Sequence, residues 1–186
     1  MSRQLAKYWI TADEFEQMGR AGIFHPDARL ELLEGEIYQM SPTGSRHAAC
    51  VKRLNALLGR LFAGKLIVGA QDPIRLNDLS EPQPDISLLR WRDDFYDAAH
   101  PTPADVLLVI EVADSTVETD RSYKMPLYAR AGIQEACLVN LPEETIELFA
   151  EPVGGAYQTS KVFSRGEELQ SHGVADLRCG VADVLG

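Results

Sequence analysis

The sequence predicts a mixed α/β (α+β) fold with one central sheet, and two observations carry this prediction. Apolar residues spaced three and four apart run from about His47 to about Phe62, which is the pattern of an amphipathic helix. Three strand-like runs, a second helical pattern and a further strand-like run follow in that order. Helices and strands arranged in this way pack as layers around a shared sheet.

The segment before this core predicts a helix and a β-hairpin. Thr11 is a candidate N-cap with Glu14 as its capping-box partner, and Gly22 is the expected stop of the helix. Apolar residues then flank the sequence "EGE", which is centred on Gly35 and is typical of a hairpin turn.

The core elements follow from composition as well as from periodicity. "VLLVIEVADST" is the most apolar and β-branched segment, so it is the best candidate for a central strand. Pro126 interrupts the second helical pattern, over about 120–131, so this helix either begins late or is kinked at the proline. The expected strands are 65–76, 82–90, 106–116 and 135–141, and a closing hairpin pairs 145–151 with 155–164.

The length and composition are those of one globular domain. At 186 residues, with 45% hydrophobic and 25% charged residues, the chain can bury a substantial core. We expect a single domain over residues 1–186, made of an N-terminal extension (about 1–45), a core (about 46–142) and a C-terminal hairpin (about 143–186).

The sequence also predicts a cytoplasmic protein with no membrane partner. No run approaches the ~20 apolar residues that span a bilayer, and the N-terminus has no long apolar stretch followed by a cleavage site. Cys50, Cys137 and Cys179 are odd in number and lie in apolar surroundings, so we expect reduced core residues.

The formal net charge of −10 bears on the class of partner. Proteins that bind nucleic acid usually carry a basic surface that neutralises phosphates. A nucleic-acid partner would therefore need a local basic surface, a bound metal or an oligomer. The run "RWRDD" at 90–94 is either a basic and aromatic contact with nucleic acid or, as we favour, a solvated loop.

Three residues mark the predicted core in a way that points to metal chemistry. Asp85 begins one strand, Glu111 lies towards the end of the next, and Lys124 lies on the helix that follows. Two carboxylates on adjacent strands can hold Mg²⁺, which prefers oxygen ligands. A nearby lysine can orient water or stabilise a charged transition state.

Each of the three residues also has a simpler interpretation. An acid after Pro84, such as Asp85, is often a turn or cap residue. Lys124 can be a surface lysine or the ion-pair partner of Glu111. Glu111 is the hardest to explain otherwise, because an acid after "LLVI" is rarely buried unless it is paired or bound to metal.

The order of these motifs resembles the PD-(D/E)xK nuclease superfamily and, more closely, the Uma-type family of restriction-endonuclease-like proteins. The resemblance runs nearly end to end and includes His47 and a C-terminal hairpin with "IELF". The other segments that carry it are "RLELLEGEIYQMSP", "PQPDISLL", "LLVIEVADST" and "DRSYKMPLYARAGIQEACLVNL".

The resemblance implies a restriction-endonuclease-like fold, a divalent-metal site and DNA cleavage. It implies that Asp85 and Glu111 are catalytic metal ligands for Mg²⁺, with Mn²⁺ as a substitute. In the usual superfamily pattern the lysine follows the second acid by two residues, a position that Ala113 occupies here. In the Uma-type pattern a lysine on the next helix takes its place, and this residue is Lys124.

Further residues are candidates for lining the same site. His47 begins the first core helix, and either Glu36 or Glu34 from the preceding hairpin can add a carboxylate, as acids there do in some superfamily members. Gln71 is polar in an apolar run, and Ser115 is one of the polar residues that lead from the strand with Glu111 into the next helix. Tyr128 lies one helical turn after Lys124, so the two share a face. His47 alternatively makes a structural hydrogen bond at the helix start.

Two functions remain open from the sequence. The first is a Mg²⁺-dependent DNA endonuclease, in which Lys124 positions or activates water. The second is a catalytically inactive protein of the same fold that binds nucleic acid or protein, which the acidic charge and Ala113 favour. Edge strands can support a homodimer, which would suit cleavage of both DNA strands.

Overall fold

The architecture is a six-stranded mixed sheet with helices on both faces, and the predicted α/β class is confirmed. The structure is a computed structural model that describes residues 5–186; residues 1–4 of the predicted domain lie outside the described residues. The strand order is β3-β4-β5-β6-β7-β8. These strands are β3 (Leu66–Ala70), β4 (Ile86–Arg90), β5 (Val106–Ala113), β6 (Glu135–Asn140), β7 (Thr145–Val153) and β8 (Ala156–Ser164).

The strand directions follow from the connections between strands. β5 and β6 pair in parallel, with Glu111 opposite Leu138, and a helical segment links them, as a parallel connection requires. The other neighbouring pairs of this sheet are antiparallel. The predicted closing hairpin, β7 and β8, forms one edge of this sheet.

The N-terminal prediction of a helix and a hairpin is confirmed. Helix α1 (Ala12–Arg20) begins at Thr11, whose side chain accepts from the backbone N–H of Glu14 in a complete capping box. β1 (Leu30–Leu33) pairs with β2 (Glu36–Gln39) in an antiparallel hairpin. Its turn needs a glycine, because Gly35 has φ +80° and packs against Trp9.

Two apolar clusters show how the layers pack. Helix α2 (Ser45–Leu61) buries Leu54 and Leu58 in one cluster with Ile110 and Val112 of β5. Val109, on the opposite face of β5, belongs to a second cluster that includes Met125 and Tyr128. The side chains of β5 alternate between the two clusters, so this central strand is covered on both faces.

The second core helix begins earlier than predicted and changes its winding before the proline. It comprises α3 (Val117–Thr119), a π-helical stretch (Asp120–Lys124) and α4 (Met125–Arg130). Pro126 has no N–H and would crowd the carbonyl four residues earlier in a regular helix. The wider π-helical turn before Pro126 removes that conflict, and such turns are frequent at functional sites.

Other boundaries also differ from the prediction, among them the start of β4 at Ile86 instead of 82 and the end of β5 at Ala113 instead of 116. β3 stops at Ala70, because the left-handed backbone of Gln71 (φ 59°) ends the strand there. The C-terminal region contains three elements that were not predicted, because each is too short to show a period. These elements are β9 (Glu168–Gln170), β10 (Arg178–Gly180) and α5 (Val181–Leu185).

The three cysteines are free and buried, as expected. Within residues 5–186, none of the helices has the length and apolar character needed to cross a membrane.

Candidate active site

A polar cavity of about 350 Å³ lies where β4 begins, β5 ends and the π-helical turn passes over the sheet. Asp85, Glu111 and Lys124 all line it, although 39 residues separate the first from the last. Five carboxyl groups line the cavity, from Glu31, Asp85, Glu111, Asp114 and Asp120. Its basic side chains are Arg29, His47 and Lys124.

Asp85 is fixed by hydrogen bonds from three different segments of the chain. Its Oδ2 accepts from the backbone N–H of Val112 on β5 at 2.9 Å and lies 3.0 Å from Nε2 of His47 on α2. Its Oδ1 accepts from Nε2 of Gln71 at 3.0 Å. The side chain is buried, and Pro84 before it needs no ladder hydrogen bond. The carboxylate therefore has one orientation at the strand entrance.

Lys124 lies between two buried carboxyl groups. Its Nζ is 3.0 Å from Oε2 of Glu31 and 3.2 Å from Oε1 of Glu111. Tyr128, one turn along the helix, donates its hydroxyl to the same Glu111 oxygen at 2.6 Å. All four residues are at most 7% exposed, so water screens these interactions weakly.

Burial and the excess of acids shift the pKa of Glu111 to about 8. Loss of hydration is the main cause, and the negative charges of Asp120, Asp85 and Glu31 add to it, while Lys124 opposes it. The pKa of Asp120 is also raised, chiefly by burial. Near pH 7 the cavity therefore tends to retain a proton on Glu111.

The pKa values of Lys124 and His47 are raised and that of Asp85 is lowered, and each of these shifts favours the charged form of the group. Burial alone would lower the pKa of Lys124, but the surrounding carboxylates outweigh burial and raise it. The hydrogen bond to Asp85 raises the pKa of His47. Burial opposes ionisation of Asp85, but its hydrogen bonds, led by the one to His47, hold its pKa below the ordinary value. Lys124 is thus charged near neutral pH and suited to stabilise negative charge.

The structure brings most of the predicted additional residues to this site. His47 and Ser115 line the cavity itself. Gln71 and Tyr128 lie behind it and contact the carboxyl groups of Asp85 and Glu111. In the described part of the chain, the Ser115 side chain makes no hydrogen bond to these carboxyl groups, so it only lines the cavity wall.

The prediction that Glu36 lines the site needs correction, because Glu36 is not among the residues of the cavity wall. Its carboxylate pairs with Lys7 at the surface, and Glu34 pairs with Arg130 at 3.0 Å. Both acids belong to the turn end of the hairpin, whereas Glu31 faces the cavity from β1. The hairpin therefore supplies a carboxylate, as expected, but from a different position.

Sequence reasoning missed Glu31, Asp120 and Arg29. Glu31 stands between Leu30 and Leu32, and an acid inside an apolar strand was the signal that had singled out Glu111. Asp120 lies four residues before Lys124, a spacing that places helical side chains together. Arg29 had no distinguishing pattern. It bonds Thr43, and within the described part of the chain it forms no ion pair.

The donor atoms of the acidic cavity residues are of the kind that a hard divalent cation takes. Asp85 and Glu111 offer carboxylate oxygens on adjacent strands, and Glu31 and Asp120 add two more at the same wall. Burial is the main cause of the raised pKa of Glu111 and the neighbouring carboxylates add to it, so a bound cation would favour the charged form of Glu111. Lys124 is the single buried cation among these acids.

The "RWRDD" run lies at the other end of β4 from Asp85. Trp91 packs edge-on to Phe95, and Arg92 is paired with Asp94. Five strand residues separate Asp85 from this loop, which corresponds to roughly 16 Å at about 3.3 Å per residue. The loop is not part of the cavity wall.

A solved structure confirms the class of fold. It is described as "a putative nuclease belonging to DUF820 from Anabaena variabilis" and superimposes with a TM-score of 0.76. The alignment covers 95% of this chain and 97% of that chain, at 18% sequence identity. The predicted restriction-endonuclease-like fold is therefore the fold of this protein.

The family follows from a second comparison. The model of the Uma2 family, described as "Putative restriction endonuclease", matches residues 12–182. The match spans most of the chain, so the protein belongs to the Uma2 family, and the resemblance noted from the sequence is confirmed. A comparison with curated proteins gives no match.

Proposed function

We propose that this protein is a Mg²⁺-dependent DNA endonuclease whose active site is the acidic cavity. The observation that supports the proposal most strongly is that Asp85, Glu111 and Lys124 line one cavity in a member of this family. In this proposal Asp85 and Glu111 hold the metal, and Mn²⁺ can replace Mg²⁺. The bound metal would supply Lewis acidity and lower the pKa of a water ligand.

The residues around the carboxylates have separable roles in this proposal. His47, Gln71 and the Val112 N–H orient Asp85, and Tyr128 orients Glu111. Lys124 is held charged by its neighbours, so it acts as a cation and not as a general base. Its ammonium stabilises the negative charge that develops on the phosphoryl oxygens and orients the attacking water.

The overall charge of −10 requires a local basic contact for DNA. Arg29 meets this need, because its half-buried guanidinium lines the cavity and has no carboxylate partner among the described residues. We propose that Arg29 contacts a backbone phosphate beside the scissile bond. This contact would position the substrate without reading its sequence.

The test is a cleavage assay on plasmid and linear duplex DNA over a Mg²⁺ titration. We expect cleavage by the parent protein and by Glu36→Gln, the control for an acid outside the cavity. Asp85→Asn and Glu111→Gln should reduce cleavage to background, and Lys124→Met should lower the rate by about 10²- to 10³-fold. Circular dichroism establishes that each variant is folded. Equal cleavage by the parent and Asp85→Asn, or cleavage without metal, would contradict the proposal.

One observation favours the alternative of an inactive nuclease fold. Several of the cavity's charged groups already pair with one another, since Lys124 pairs with Glu31 and Glu111 while His47 pairs with Asp85. Such a network can hold its shape without a metal. A folded parent protein that neither binds Mn²⁺ in calorimetry nor cleaves DNA would identify the alternative. The homodimer and the cytoplasmic location stay predictions from the sequence.

A further inference from the structure

A second group of possible metal ligands lies away from the acidic cavity. It consists of Glu16 on α1, Glu81 in the segment that leads to β4, and His100 in the loop between β4 and β5. One ligand atom from each residue lies within 4.8 Å of the others. None of the three lines the acidic cavity, so the nuclease mechanism leaves them unexplained.

Glu81 gives an independent sign that a ligand is missing from this group. It is only 4% exposed, yet its Oε2 has no hydrogen-bond partner among the described residues. A buried polar atom without a partner is rare and unfavourable. Burial raises the pKa of this carboxyl group, and the neighbouring Glu16 adds to the effect. The guanidinium of Arg75, whose charge also acts on Glu81, is paired with Asp13 at 2.7 Å.

We propose that Glu16, Glu81 and His100 bind a Zn²⁺ ion or a similar transition-metal ion. An imidazole with two carboxylates is a donor set that Zn²⁺ accepts, whereas Mg²⁺ prefers oxygen ligands alone. Three protein ligands leave a fourth position for water in a tetrahedral site. The ion would give the buried Glu81 carboxylate the partner that it lacks.

Backbone hydrogen bonds already hold the three ligand segments together. The Ala12 N–H on α1 donates to the Asp78 carbonyl at 2.8 Å, and the Arg75 N–H donates to the Pro101 carbonyl at 2.8 Å. The Glu81 N–H donates to the Leu32 carbonyl of β1 at 2.7 Å. Because the segments are fixed before any ion binds, little ordering opposes binding.

The position of Glu81 gives the ion a structural role. Glu81 lies four residues before Asp85, and its backbone pairs with Leu32, the neighbour of Glu31. An ion on Glu81 would therefore brace both segments that carry acids into the cavity. This inference does not depend on DNA cleavage, because the ligands belong to a different part of the surface.

The test is isothermal titration with Zn²⁺ in the presence of excess Mg²⁺, which is added to compete for any site built from oxygen ligands alone. We expect one Zn²⁺ per chain for the parent protein. Removing a residue that only supports a ligand already weakens a metal site about 10- to 100-fold. His100→Ala and Glu81→Gln remove proposed ligands themselves, so each should weaken Zn²⁺ binding by at least about tenfold. His25→Ala is the matched control, because His25 is also an exposed loop histidine, and it should bind as the parent does.

Two further measurements distinguish this site from the cavity. Asp85→Asn should retain the Zn²⁺ site, and Zn²⁺ should raise the melting temperature of the parent but not of His100→Ala. His100 is exposed, so its replacement leaves the fold intact. The same isotherm for the parent and His100→Ala, no binding by the parent, or loss of binding in Asp85→Asn would each overturn the inference.

Discussion

Replacing Lys124 by methionine tests the electrostatics of the cavity. Methionine keeps an apolar stem of similar length and removes the ammonium, so Glu31 and Glu111 lose the cation 3.0 and 3.2 Å away. Lys124 is 7% exposed, and water cannot replace it without opening the site. We therefore expect destabilisation of the folded state.

The expected size follows from the burial of the pair. Removing one partner of a buried ion pair lowers the free energy of unfolding by about 3 to 5 kcal/mol. With a urea m-value of about 2 kcal/mol/M, this corresponds to a midpoint about 1.5 to 2.5 M lower. The loss should be larger at pH 8 than at pH 5, because Glu111 is protonated well below its pKa of about 8 and then needs no cation.

The assay is urea unfolding followed by circular dichroism in the presence of a chelator. Lys65→Met is the matched control. Lys65 forms an exposed ion pair with Asp176 at 3.8 Å, so this variant should unfold at the same urea midpoint as the parent protein. Adding Glu31→Gln to Lys124→Met should recover much of the loss, because it removes one of the two uncompensated carboxylates. Equal midpoints for Lys124→Met and Lys65→Met would refute the reasoning, and so would the absence of any recovery.

Three other predictions concern stability. Without metal, the free energy of unfolding should fall as the pH rises from about 4.5 to about 8, by at most about 1.4 kcal/mol per pH unit. The reason is that Glu111 of the folded protein keeps a proton in this range, whereas the unfolded chain releases it. Urea titrations from pH 5 to 8 should show a flatter dependence for Glu111→Gln. Thr11→Ala should lower the free energy of unfolding by about 1 kcal/mol through loss of the N-cap, whereas Thr11→Ser should not. Gly35→Ala should lower it by more than about 1 kcal/mol, because the new Cβ would lie 2.8 Å from Trp9 at φ +80°; an unchanged melting temperature would contradict this.

The core elements and three site residues could be predicted because their signals are local. The apolar pattern of α2 and the β-branched run around Glu111 each specify one element. Asp85 and Lys124 then converge on Glu111, because an antiparallel neighbour and a following helix both return to the same strand end. The family resemblance supplied the role of Lys124, which periodicity alone does not show.

The remaining features depend on tertiary contacts that no local pattern encodes. Glu31 is buried where the N-terminal hairpin, the Gln83 backbone and the π-helical turn that carries Lys124 meet. Glu36 carries the same charge on the same hairpin, but it lies beyond the turn and meets Lys7 instead. α5 has five residues, too few to show a period, and is positioned by Arg53 donating to the Leu185 carbonyl at 2.8 Å.

The most direct test of the central claim is a crystal structure of the protein soaked in Mn²⁺, with the ion located by anomalous scattering. The proposal predicts an anomalous peak in the acidic cavity, bound by carboxylate oxygens of both Asp85 and Glu111, with Lys124 beside it. The same soak of Asp85→Asn should lack this peak. A parent crystal with no peak between Asp85 and Glu111, even with an ion bound at Glu81, would contradict the claim that these two carboxylates form the metal centre.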